Sequence, residues 1–343
     1  MNQFLLSKMK KYRKQKKILI TGGSGFIGHH VIEYLLNETE WSIVSLDRSS
    51  YSENLDRIEE VAQNSNLFKK RIKVVWHDLK ASLNPQIVKS IGRVDYIIHL
   101  ASGSHIDKSI KDPMEFVMDN VVGTANLLDY ARLNLKSLKK FIYFSTDEVF
   151  GPAPKGIFFK EDDRYASGNP YSASKAGGEE LCVAFANTFK MPIIVTHTMN
   201  VFGERQHPEK FIPKVIGHVL NSKTIFIHAD VKKKESGSRT YIHAKDVSNA
   251  LLFLLHKGNK GEKYNLVGAK EIHNLALARK IAKILKKDLK YKLVDYHSSR
   301  PGHDLRYALS GKKMKKMGWE PKSIDQRLKE VVNWTVRNKT RWL

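Results

Sequence analysis

The stretch KKILITGGSGFIGHHVIEYLL, residues 16–36, places a short apolar run, a cluster of glycines and an apolar pattern at helical spacing in direct succession. A strand that turns through glycines into a helix is the opening unit of an open α/β sheet. The glycines stand at 22, 25 and 28, and each has a physical task. Gly22 permits the tight turn, Gly25 lets backbone approach an anion held at the helix N-terminus, and Gly28 lets the helix lie close on the strand. Phe26 and Ile27 belong to the same turn.

Working outward, the next β run, WSIVSLD, ends at Asp47, nineteen positions beyond Gly28. An acid there accepts from ribose hydroxyls and repels a 2′-phosphate, so the turn is expected to hold NAD. Arg48, the next residue, keeps NADP open. Further β runs fall at 71–78, 95–101, 140–145 and 192–197, with room for helices between them, as at 113–133 and 170–190. Alternating βα units with continuous apolar strands predict a Rossmann-type, doubly wound parallel sheet covered on both faces. Ligands bind such sheets beyond the carboxyl ends of the strands, which sets Asp47, Asp78, Leu79, Ala101 and residues 145–148 along one crevice.

Two segments at that crevice carry more reactive groups than a fold requires. STDE, 145–148, closes a buried run, and NPYSASK, 169–175, begins a helix with Asn169 as N-cap and Pro170 at the first helical position. Tyr171 and Lys175, four apart, share a helix face, and an ammonium beside a phenol favours the phenolate. Thr146, Asp147, Glu148, Tyr171 and Lys175 are therefore the candidate catalytic residues.

Beyond about residue 200 the pattern loosens, with helical periodicity returning at 246–257, 271–286 and 323–338. The expected division is a basic tail over 1–17, a dinucleotide-binding domain over 18–199 and a smaller C-terminal, substrate-binding α/β part over 200–343, with 240–256 free to return to the first domain. The single cysteine, Cys182, excludes an internal disulfide and fits a reducing, cytoplasmic setting. No apolar run reaches the roughly 20 residues that span a bilayer. The formal charge of +24 raises nucleic-acid binding, yet the lysines are scattered along the chain without interleaved aromatics, so solvated faces are the better account. No spacing among the fourteen histidines matches a metal site, and His29 and His30 are expected as exposed helix residues.

With these residues on the page, the chain resembles the extended short-chain dehydrogenase/reductase family, and within it the nucleotide-sugar 4,6-dehydratases of the dTDP-glucose type. The likeness runs from Ile18 to about Trp334 and rests on TGGSGFIG (21–28), SHIDKSI (104–110), STDEVFG (145–151), PYSASK (170–175), PEKFIP (208–213) and RPGHDLRYA (300–308). It implies a closed redox cycle with NAD on a nucleoside-diphosphate glucose. Tyr171, with Lys175 and Thr146, would take the 4-hydroxyl proton, Glu148 the proton on C5, and Asp147 would protonate the departing 6-hydroxyl. It also implies a homodimer and a substrate side formed by Ser104, His105, Asn200, Lys210, Arg239, Asn265, Arg300 and His303. The chain departs from the family pattern at Val201, at Glu204 and in a longer loop over 230–238, so thymidine and uridine both stay open. A 4-epimerase of the same family is the alternative, and a non-catalytic NAD- or nucleic-acid-binding protein is the rival from another class.

Overall fold

Strand β1 (Lys17–Thr21) alternates its apolar side chains between two cores, and that alternation sets the architecture. Ile18 and Ile20 face one core and Leu19 the other, all at 0% exposure. A strand buried on both faces needs helices on both sides. The computed structural model describes residues 15–48, 55–63, 65–295 and 306–343; the basic tail before residue 15, Arg300 and His303 lie outside the described residues.

After β1 come α1 (Phe26–Glu38), β2 (Ser42–Asp47), β3 (Ile72–Trp76), β4 (Tyr96–His99), α2 (Gly123–Asn134), β5 (Lys140–Thr146), α3 (Pro170–Phe189), β6 (Ile193–Thr198), α4 (Ala244–Lys257) and β7 (Lys263–Leu266). The seven strands form one parallel sheet in the order β7-β6-β5-β4-β1-β2-β3. Helices α1 and α4 cover one face through Val31, Ile32, Leu251 and Leu254; α2 and α3 cover the other through Leu127, Leu128 and Cys182. This is the doubly wound sheet that the glycine turn and strand pattern predict. The seventh strand is not among the predicted ones: four residues, KYNL, give too short a run to register as a period.

The chain reverses between β4 and β1, so the crevice opens at the carboxyl ends of β1, β2, β4 and β5. Gly22 has a φ of +72°, a conformation that glycine adopts without steric cost. A Cβ on Gly28 would stand 2.1 Å from the Gly22 carbonyl oxygen, backbone against backbone. Gly28→Ala is therefore expected to cost about 1–3 kcal/mol, as overpacking does, and to lower the thermal unfolding midpoint.

A separate core of Ile212, Val215, Ile216, Leu277, Ile281, Leu328 and Val332 holds the C-terminal part together. Residues 271–273, within an expected helix, pair as a strand with Ser238–Thr240; the helix begins at Asn274. The expected helix over 113–133 is also interrupted, by a π turn at Met118–Val122. Such turns insert an extra residue into the helical ladder and re-aim the side chains that they carry. Among the described residues no helix is long and apolar enough to cross a membrane.

Candidate active site

Strand β5 ends at its carboxyl end on Thr146, and a short 3-10 turn, Asp147–Phe150, follows directly with the two acids. Val149 and Phe150 anchor the turn in a small core with Met199, Tyr307 and Leu309, so the carboxylates are held by packing behind them. Asp147 is 5% exposed and Glu148 is half-buried. The Thr146 hydroxyl donates to Asp147 Oδ1 at 3.1 Å. Burial raises both acids, Asp147 to about 6 and Glu148 to about 7, and the Asp147 charge adds to the rise on Glu148. Two adjacent carboxyls so placed titrate as a coupled pair near neutrality.

Helix α3 brings the phenol to the same point. Its capping box is complete: the Asn169 side chain accepts from the Ser172 N–H at 2.9 Å, and the Ser172 hydroxyl meets the Asn169 N–H. Asn169 also donates its amide to Glu148 Oε2 at 3.3 Å. One side chain therefore ties the start of the Tyr171 helix to the carboxylate twenty-one positions earlier. Sequence reading identifies Asn169 as a cap alone, because its second contact crosses between elements.

The expected lowering of the Tyr171 phenol by Lys175 is not found. Lys175 Nζ donates to the Phe144 carbonyl at 2.6 Å and lies 4.5 Å from the Tyr143 ring centre. Burial lowers this ammonium to about 7. Burial and then the Glu148 charge push the Tyr171 phenol above its ordinary value, while the nearby Thr146 hydroxyl pulls the other way. Spacing puts Tyr171 and Lys175 on one face, but the rotamers separate their polar ends.

On the cofactor side, Asp47 is 2% exposed and accepts from the Ser24 N–H at 2.9 Å, the Ser24 hydroxyl at 2.8 Å and the Ser45 hydroxyl at 2.5 Å. A carboxylate offers about four acceptor positions, so this acid pins the glycine turn and keeps about one for a ligand. A cleft lined by Leu46, Asp47, Asp78, Leu79 and Ala101 continues from the turn. Glycine backbone over the anion position and this cleft beyond it fit the pyrophosphate and adenosine of a dinucleotide.

The substrate-side expectations divide. Arg239, in the strand Ser238–Thr240, lies 4.7 Å over the Tyr307 ring and exerts its field on Asp147 and Glu148. Lys210 is exposed and acts on both Glu148 and His105. His105 stands at the N-cap position of the helix Ile106–Lys111 without a capping bond from its side chain, with Ser104 exposed before it. Asn200 is exposed just past β6. Asn265 departs from expectation: it is 0% exposed in β7, with its side chain bonded to His197, the Phe159 carbonyl and the Ser310 carbonyl. Its amide is consumed by the core, so it is no substrate contact in this structure.

His29 and His30 are also corrected, at 0% and 1% exposure. The His29 ring bonds to the Gly25 carbonyl at 3.1 Å and the His30 ring to the Glu204 carbonyl at 3.0 Å, and burial lowers both, His30 to about 3. Glu204, one of the departures from the family pattern, also lies 3.2 Å from His243. These neutral rings fill the space behind the glycine turn. Among the described residues no group of His, Cys, Asp and Glu could hold a metal ion.

A family model described as GDP-mannose 4,6 dehydratase matches residues 19–331. The chain is similar to the dTDP-glucose 4,6-dehydratase of Escherichia coli, 33% identical over 353 residues with 95% of each chain covered. It is similar to the trifunctional UDP-glucose 4,6-dehydratase of Arabidopsis thaliana at 34% identity, over 96% of this chain and 48% of that protein. Its fold is similar to the crystal structure of DesIV, a dTDP-glucose 4,6-dehydratase from Streptomyces venezuelae with NAD and TYD bound. There the TM-score is 0.84 at 29% identity, covering 95% of this chain and 98% of that one.

Proposed function

The chain belongs to the nucleotide-sugar 4,6-dehydratases of the extended short-chain dehydrogenase/reductase family, and from that premise we propose that it converts dTDP-glucose or UDP-glucose to the 4-keto-6-deoxy sugar nucleotide. The observation that carries the reading is the buried Asp147–Glu148 pair with both proton affinities raised, set beside Tyr171 at the cofactor crevice. Water elimination needs a base for C5–H and an acid for the departing 6-hydroxyl, and a coupled pair supplies both.

NAD⁺ bound in the crevice supplies the acceptor for the C4 hydrogen and, once reduced, returns it to C6. Tyr171 takes the 4-hydroxyl proton, with the Thr146 hydroxyl nearby. The 4-ketone acidifies C5–H, which Glu148 removes. Asp147 delivers its proton to the 6-hydroxyl, which leaves as water, and Glu148 gives its proton back to C5 as the hydrogen is returned to C6. Arg239, whose positive field reaches both acids, would engage the diphosphate through a charge-assisted fork. Exposed apolar side chains at Met114, Leu133 and Phe189, within the helical stretches 113–133 and 170–190, support the homodimer that the resemblance implies.

Incubation with each sugar nucleotide followed by mass spectrometry tests the function: loss of one water supports it, a mass-neutral product indicates an epimerase, and no change with either overturns both. A subtler expectation concerns Asn169. Asn169→Ser keeps a good N-cap but removes the donor to Glu148, so the acid limb of the dehydration pH–rate profile should move up by about one unit. Asn169→Asp, which also caps but adds a like charge, should move it further, as pH–rate measurement on the three proteins would show.

A further inference from the structure

Arg48 stands directly after Asp47 at the carboxyl end of β2, the place from which an arginine accommodates a 2′-phosphate in dinucleotide folds. In this chain its guanidinium is already taken. Nη1 lies 2.6 Å from Asp119 Oδ1 and Nη2 lies 2.7 Å from Asp119 Oδ2, a bidentate fork, with Asp78 a further 3.4 Å contact. The Asp119 side chain is 6% exposed, against 27% for Arg48. A nearly buried carboxylate left without its fork is strongly disfavoured, so the arginine does not leave it cheaply for another anion.

Asp119 owes this position to the π turn Met118–Val122, which interrupts the helical ladder at the rim of the adenosine cleft. Its neighbour Asn120 faces the other way, holding the Gly103 backbone and the Ser174 hydroxyl of α3. The second nearby cation is engaged as well: Lys80 Nζ is 2.9 Å from Glu115 and within 3.9 Å of both Asp78 and Asp119. Four carboxylates, those of Asp47, Asp78, Glu115 and Asp119, therefore answer two cations at this end of the crevice. A 2′-phosphate, carrying close to two negative charges at neutral pH, meets a field of its own sign.

We propose that Asp119 is a specificity-determining residue: by sequestering Arg48 it makes the adenosine end of the site select a free 2′-hydroxyl over a 2′-phosphate. The inference rests on the NAD reading given above and deepens it. The residue pair is separated by 71 positions, so the adjacent Asp47 and Arg48 leave NAD and NADP both open when read as sequence alone.

Calorimetric titration of the full chain with NAD⁺ and with NADP⁺ tests it. Wild type should prefer NAD⁺. Asp119→Asn, which keeps the side-chain shape but releases the guanidinium, should cut the NAD⁺/NADP⁺ affinity ratio by about tenfold or more, the scale of one charge-assisted contact. The double change Asp119→Asn, Arg48→Ala should restore the wild-type ratio. If Asp119→Asn leaves the ratio unchanged, or if the double variant keeps the gain, the proposal is overturned. Arg48→Ala in the wild-type background gives an independent arm. It should leave the ratio unmoved, whereas a tenfold loss of NADP⁺ affinity would mean that Arg48 already serves a 2′-phosphate, which also overturns it. A wild type that binds neither dinucleotide sinks the NAD reading itself, an outcome distinct from all of these.

Discussion

Glu148→Gln should give a protein that oxidises the sugar at C4 and then stops. Water loss is expected to fall by roughly 10²–10⁴-fold, the usual contribution of a positioned base, while reduced nicotinamide accumulates and shows its near-ultraviolet absorbance. The glutamine keeps the size of the side chain and still bonds to Asn169, which donates at 3.3 Å, so the turn should hold its shape. What disappears is the carboxylate.

The variant also separates the two acids. Glu148→Gln should abolish exchange of the C5 hydrogen with solvent deuterium. Asp147→Asn should retain that exchange yet lose elimination, because the base survives and the acid does not. The pH dependence of wild type provides a further check. Burial and the Asp147 charge push the Glu148 carboxyl up to about 7, so its base form is lost as pH falls through that value, and elimination should fall with it. Near-normal water loss in Glu148→Gln would remove Glu148 from the mechanism.

Legibility in the sequence tracked distance along the chain. The glycine turn and the strands after it announce themselves locally, since period and turn chemistry act over a few residues. Thr146, Asp147 and Glu148 follow from their place after a buried run. What escaped depends on partners far apart in sequence. His29 and His30 read as exposed because Glu204 and His243, which enclose them, lie 174 or more positions away. Asn265 was assigned to the substrate by resemblance, whereas its four-residue strand is buried at the sheet edge against His197 and Glu161. Helical spacing placed Tyr171 and Lys175 together but carries no rotamer information, and the Phe144 carbonyl decides where the ammonium points.

That last point shapes the second large effect. Tyr171→Phe should block the reaction before Glu148 is needed: no reduced nicotinamide, no C5 exchange and no water loss, with turnover down by roughly 10³-fold on the scale of acid–base groups. The phenyl ring retains the edge-on contact with Phe116, 6.4 Å between centres, and the Asn169 cap is untouched, so the unfolding midpoint should stay close to wild type. The phenol is raised by burial and by Glu148, which makes it a poor base until its oxygen is stabilised. The nearby Thr146 hydroxyl pulls in that direction, and Lys175 lies one helical turn along. Order of action then gives a sharper test than either single change. If Tyr171 acts first and Glu148 second, Tyr171→Phe combined with Glu148→Gln should be no slower in C4 oxidation than Tyr171→Phe alone, because a base that acts after the block contributes nothing further. Additive losses in C4 oxidation would mean instead that Glu148 already assists proton removal from the 4-hydroxyl, and the separation of redox and elimination roles would fail.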